Sequence, residues 1–412
     1  MRLVVAAAVL AAVLHAQAAE KVVPPATVTV DHSRVMPADI PVLVEFTAPL
    51  PAAALADTRV SYLVDDDGNL YYCQVSPLGD ATPGSAYAWA SLKAIIPPSR
   101  LTYHLAVARP EDVKPPQGIT YVSYGAAATF ATPYVELLLR AADFRVVEQV
   151  SLGEKPLVPL HIDNLTNPQQ DVRIVVTDRF LQADFELAPE VDKDGFEVLD
   201  SGPVMARVRY RGAFAGAPNV KPVRFESIVT FSAQGIIGIE MTIPPDGYDA
   251  ETYRISRMEF TVPLILENAA TLSFGGPSGE GRGREYWTGL SSLAIKPSGS
   301  YVFVDVDRAA VSGVGSINWI DYADPYAGLS LVWDMPDYAV NVAVEYSQDL
   351  LSLAFSPPAL YAGAAQPVVA RFYMYPHPAN LAGKDIYALA STLLTPVTAE
   401  INEEYVTAVT SP

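Results

Sequence analysis

Short runs of β-branched and aromatic residues, alternating apolar with polar and separated by proline- and glycine-bearing turns, recur along almost the whole chain. TVTVDH, IPVLVEFT, RVSYLV, LYYCQV, AYAWASLKAII and LTYHLAVA all fall within the first 108 residues. A side-chain period of two fits a strand buried on one face, and these residue types pack well on a pleated surface. Helical periodicity is clear in one place only, GKDIYALASTLL, where Ile386, Leu389, Leu393 and Leu394 share a face. The chain is therefore expected to be all-β, with a short C-terminal helix near 383–394. The 35 prolines fit this reading, since proline is confined to strand ends, edges and turns.

A chain of 412 residues accommodates two or three domains. ARPEDVKPPQG (108–118) is a proline-rich connector, after which ITYVSY, ATFAT, VELLLRAA and FRVVEQVSL continue the pattern. From about 156 the strands lengthen, as in VRIVVTDR, PVMARVRYRGAF, VRFESIVTFSA, ISRMEFTVPLIL and VVARFYMY. Long alternating strands in one run favour a large antiparallel β-sandwich. The expected partition is a signal peptide at 1–18, a small β domain at 19–133, a linker or first strands at 134–155, and the sandwich with its helix at 156–412. No repeat of solenoid period is present.

The N-terminus, MRLVVAAAVLAAVLHAQAAE, has a basic Arg2, an apolar stretch from Leu3 to Leu14 and an A-x-A site at Ala16-Gln17-Ala18. This predicts a secreted or periplasmic protein, its signal peptide cleaved near Ala18. No later stretch reaches the roughly 18 apolar residues of a membrane span, so no membrane insertion of the mature chain is expected. Cys73 is the only cysteine, which excludes an internal disulfide; its neighbours in LYYCQV mark it as a buried small hydrophobe. The formal charge of -19, with 46 acidic against 27 basic side chains, argues against a nucleic-acid partner.

Motif chemistry is sparse. VDDDGN (64–69) reads as a hairpin turn in which Asp and Gly accept positive φ; as a calcium loop it fails, because Gly68 at the sixth position puts Leu63 first and Gln74 twelfth. His32, His104, His161 and His377 are not at zinc spacing, and no G-x-S-x-G elbow or phosphate loop occurs, so neither metal nor cofactor is expected. His377, in MYPHPAN, is the histidine expected in a polar loop. Asn164-Leu165-Thr166 matches a glycan acceptor triplet.

One strand carries an unusual charge. In DSGPVMARVRYRGAF (200–214), Val204, Ala206, Val208 and Tyr210 face one way, and Met205, Arg207, Arg209 and Arg211 the other. VRFESIVTFSA follows and should pair with it antiparallel. Matching the apolar faces sets Tyr210 against Phe225 and Ala206 against Val229, hence Arg209 against Glu226 and Arg211 against Arg224. With Glu240 one strand further, four arginines meet two carboxylates. The excess is either structural or a site for an anion. SFGGPSGEGRGREYW (273–287) adds Arg282 and Arg284 on a glycine-rich loop beside Tyr286 and Trp287. Arginines bind carboxylates in bidentate fashion and aromatic rings stack on sugar faces, a combination suited to an acidic saccharide. The candidate contact residues are Arg207, Arg209, Arg211, Arg282, Arg284 and Trp287.

Several of these segments are similar to a known family. The stretch from VLVEFTAPLP to LTYHLAVA, with its FTAPLP start, its Asp67-Gly68 turn, the Gln74-Val75 pair and a G-S-x-x-W-A-x-L-K pattern running from Gly84-Ser85 to Lys93, resembles the N-terminal RIFT-barrel domain of the YetA-like exo-rhamnogalacturonan lyases. Ala86-Tyr87-Ala88 stands before Trp89 where the family commonly has one or two residues. DSGPVMARVRYRG and VVARFYMYPHP resemble strands of that family's central β-sandwich. The resemblance implies a RIFT-type barrel followed by the sandwich. Family members continue into a helical toroid that forms most of the saccharide-cleaving cleft; this sequence departs from them in stopping at NEEYVTAVTSP, about where that domain would begin, and is expected to lack it. No family catalytic residue maps onto this chain. The expected function is that of an exported, non-catalytic carbohydrate-associated protein, binding an acidic polysaccharide or partnering a helical catalytic subunit. The alternatives are a polysaccharide lyase acting by β-elimination on uronate polymers, and a self-assembling cell-surface structural protein.

Overall fold

The computed structural model describes residues 23–31, 41–55, 60–79, 86–97, 102–108, 118–142, 144–159, 172–266, 271–276, 285–288, 290–297, 299–305, 310–314, 317–345, 350–358, 366–378, 389–390, 393 and 397–410. The expected signal peptide, Arg282, Arg284, the 164–166 triplet and most of the 383–394 helix lie outside the described residues. Strands dominate, as the alternation predicts, and the chain forms two compact units.

The first unit draws its described residues from Met1–Gly118, Gly202–Met205 and Ser391–Pro412. It is a closed barrel, ordered Thr27–Val30, Val397–Ile401, Val42–Pro51, Tyr87–Ile96, Leu70–Pro77, Val60–Val64, Thr102–Ala108 and back to the first strand. Alternate residues of Val42–Pro51 point inward, so Val42, Val44, Phe46, Ala48 and Leu50 are buried together with Val28, Leu63, Cys73, Leu92 and Tyr103. The partition differs from the expected 19–133 and 156–412. Val397–Ile401 closes this barrel, antiparallel to Thr27–Val30 and parallel to Val42–Pro51. Closure removes the two edges that those strands would otherwise expose. The short helix Glu403–Thr410 follows it, with two acidic residues in its first turn where the helix dipole favours them. Its buried Tyr405 donates to the Pro49 carbonyl at 2.8 Å.

Gly202–Met205 belongs to the same unit although its neighbours in sequence do not. Gln74, buried on Leu70–Pro77, accepts from the backbone N–H groups of Val204 at 3.1 Å and Met205 at 2.7 Å. Gly202 lies so close that a Cβ there would sit 2.3 Å from Gln74 Cδ.

The second unit draws on Ile119–Ser201 and Ala206–Ala390. It contains a five-stranded antiparallel sheet, ordered Lys155–Val158, Gln149–Leu152, Val135–Arg140, Ala127–Ala131 and Thr120–Ser123. It also contains a β-sandwich whose two faces share one strand. The 18-residue Asp184–Ser201 pairs through residues 184–187 with Val172–Asp178, and through residues 188–201 with Met205–Ala215. The faces meet through aromatic rings: Phe260 lies 4.9 Å and Phe355 6.0 Å from Phe372, and Phe274 lies 5.5 Å from Phe303. The expected parity of the arginine strand holds for Val204, Ala206, Val208 and Tyr210, all buried; Met205, assigned to the other face, is buried as well.

Candidate functional site

The arginine row is built from three neighbouring strands, and Arg209, Arg211 and Arg224 each pair with a carboxylate. Asp184–Ser201 sets Glu197 opposite Arg209 and Asp200 opposite Arg207. Arg209 pairs with Glu197 and not with Glu226. Glu226 instead accepts from Arg211 Nε at 2.8 Å. Arg224 forks onto Asp192 with contacts of 3.0 and 2.5 Å. That hydrogen-bonded pairing, rather than bulk charge, lowers the Asp192 pKa and raises that of Arg224. Glu240 is taken by Arg371 at 2.7 Å. Arg207 Nε is buried without a hydrogen-bond partner. The long strand thus supplies carboxylates that the expected tally of four arginines against two acids leaves out. An anion approaching this face must exchange with acids already tethered there. Trp287 stands on Glu285–Thr288, its backbone opposite Leu272.

His377 is not in a loop. It lies on the strand Val368–Pro378 and is almost fully buried. Both ring nitrogens face acceptors: Nδ1 is 2.8 Å from the Pro378 carbonyl and Nε2 2.8 Å from Asp321 Oδ1. A neutral imidazole carries one N–H and would leave one of these contacts repulsive, so the arrangement fits an imidazolium. Burial lowers the His377 pKa, but the Asp321 hydrogen bond and charge, with the Pro378 carbonyl, outweigh it, and the net direction is upward. Ser330 Oγ donates to the same Asp321 oxygen at 2.9 Å. The hydroxyl thus addresses the acid and not the imidazole, which is not the order a nucleophilic serine needs. This is a buried polar brace between Trp319–Ala323, Ala327–Trp333 and Val368–Pro378. His104 lies on a barrel strand, while His32 and His161 are outside the described residues.

The VDDDGN segment is a turn. Asp65 accepts from the backbone N–H groups of Asp67 and Asn69 at 3.0 and 2.8 Å, from Asn69 Nδ2 at 2.9 Å and from the Tyr71 hydroxyl at 3.1 Å. Gly68 adopts φ 81°, which the turn requires. A carboxylate receiving four donors is committed to bracing its loop. Among the described residues no group of three or more His, Cys, Asp or Glu is placed to hold a metal.

No family model matches the chain, and no curated protein matches it. Solved structures do. A protein in the glycosyl hydrolase family 38 from Enterococcus faecalis is similar over 92% of this chain and 47% of its own, at 9% identity and TM-score 0.53. An alpha-mannosidase from Enterococcus faecalis V583 is similar over 92% of this chain and 46% of its own, at 9% identity and TM-score 0.53. A galactose mutarotase-like protein from Clostridium acetobutylicum aligns over 63% of this chain at TM-score 0.35 and 8% identity. The first two share the fold, and this chain spans about half of their length.

Proposed function

We propose that the protein is an exported, carbohydrate-associated β protein that binds an acidic polysaccharide or serves a separate helical catalytic subunit, and does not itself turn over the polymer. The observation that carries this reading is the fold held in common with two solved glycoside-processing proteins over 92% of this chain. The resemblance of the barrel and sandwich segments to the YetA-like lyases supports it independently. On this reading Arg209 and Arg211 contact the ligand only by exchanging Glu197 and Glu226 for its carboxylates. Affinity through that row should then be weak and should fall steeply with salt. The test is a titration of the mature protein with oligogalacturonate, rhamnogalacturonan oligosaccharides and neutral mannan oligosaccharides, with ultraviolet absorbance recorded in parallel. Binding of at least one acidic ligand without new absorbance supports the proposal. Unsaturated products would replace it with the lyase reading, and no binding across the panel would end it.

A further inference from the structure

Two hairpins of the second unit carry the same turn. Thr132-Pro133-Tyr134-Val135 and Asp324-Pro325-Tyr326-Ala327 each begin with an oxygen-bearing side chain and place tyrosine third. Thr132 Oγ1 accepts from the N–H groups of Tyr134 at 3.3 Å and Val135 at 3.0 Å. Asp324 Oδ1 accepts from those of Tyr326 and Ala327, both at 2.7 Å. The turns close with Thr132 N and Asp324 N donating to the carbonyls of Val135 and Ala327 at 2.8 and 2.9 Å. Proline at the second position fixes φ, and a capping oxygen at the first holds the bend. Both tyrosines therefore stand on stiff backbone, yet they are 77% and 58% exposed.

The two turns flank a third. Gly153 N donates to the Tyr134 carbonyl at 2.9 Å, and Lys155, two residues on, places Nζ 4.9 Å from the centre of the Tyr326 ring. The turn at Gly153 thus touches both tyrosine turns, Tyr134 through its backbone and the Tyr326 ring through Lys155, the first residue of the strand Lys155–Val158, and two exposed hydroxyl-bearing rings and a cation come from neighbouring segments. Rings that stack on sugar C–H faces, hydroxyls that bond sugar oxygens, and an ammonium for a carboxylate match a uronate-bearing oligosaccharide. Because the loops are already ordered, little conformational entropy is lost on binding. We infer that Tyr134, Lys155 and Tyr326 form a saccharide-stacking subsite for a uronate-containing chain. This rests on the carbohydrate-associated reading above and moves its centre from the arginine row to the paired turns.

The experiment measures affinity for oligogalacturonate by calorimetry in the full mature protein, for wild type, Tyr134→Ala, Tyr326→Ala, Tyr326→Phe, Lys155→Gln and Arg207→Ala/Arg209→Ala, with thermal midpoints as a folding control. Each tyrosine-to-alanine change should weaken binding roughly tenfold, and Tyr326→Phe should retain most of it. Lys155→Gln should weaken binding of the uronate ligand and flatten its salt dependence. Unchanged affinity in both alanine variants, with loss in the arginine double variant, overturns the subsite and leaves the carbohydrate reading standing. Absence of binding by wild type overturns both.

Discussion

Removing the Gln74 amide should loosen the barrel unit more than any surface change. Its oxygen is the acceptor for two buried backbone N–H groups, those of Val204 and Met205. Gln74→Ala leaves both without that acceptor, and each unsatisfied buried donor costs about 1–3 kcal/mol, so the loss is about 2–6 kcal/mol. Gly202→Ala attacks the same contact from the other side. Its Cβ would lie 2.3 Å from Gln74 Cδ, and the amide would have to swing away from the two N–H groups. The two substitutions break one interaction, so Gly202→Ala should cost far less in a Gln74→Ala background than alone. Hydrogen exchange read at Val204 and Met205, with urea unfolding followed through exchange in the barrel strands, reports both quantities. A Gln74→Ala loss below about 0.5 kcal/mol, or strict additivity of the pair, would show that the reasoning is wrong.

Other outcomes follow from the same geometry. The His377–Asp321 brace has a histidine whose folded pKa is raised above its ordinary 6.5, so its stabilisation is complete below that value and fades as pH rises through the folded pKa. The groups facing it are Asp321, the Ser330 hydroxyl, the Pro378 carbonyl and the stacked Tyr375 ring, and His377→Gln should remove this part of the pH slope of stability measured by chemical denaturation. Arg211→Ala should cost less than about 1 kcal/mol in the same assay, because both it and Glu226 are roughly half exposed and the pair is screened. Cys73 should resist thiol reagents in the folded protein and react promptly in denaturant, since burial drives its thiol pKa far upward while a weaker backbone hydrogen bond at Leu63 acts the other way.

The strands were legible because one-face burial forces a period of two, and Val204, Ala206, Val208 and Tyr210 obey it. The Asp65 turn and the buried thiol were legible for local reasons too. The acids opposite the arginines were not. Asp192 lies where Asp184–Ser201 breaks its alternation at a register shift, while Glu197 and Asp200 lie on the flank of the arginine strand away from VRFESIVTFSA, which matching those two apolar faces does not address. Glu226 meets Arg211, two residues along the same face from the expected partner; long side chains reach diagonal as well as opposite neighbours, so hydrophobic matching alone does not choose between them. His377 looked loop-like because prolines flank it, although Pro376 and Pro378 are themselves strand residues. The paired Pro-Tyr turns were visible as sequence, but only the placement of Lys155 brings them to one surface.

The strand Val397–Ile401 sets the order of assembly. Thr27 and Asn402, hydrogen-bonded at 2.8 Å, are 375 residues apart in the chain. Synthesis delivers the first strands of the cylinder long before the stave that completes it. Until then Thr27–Val30 and Val42–Pro51 each keep an unpaired side, open to a neighbouring molecule. Such a protein is slow to ripen and most fragile while newborn. A circular permutant that joins this stave directly ahead of Thr27 should therefore mature faster and clump less, while ending with the same cylinder.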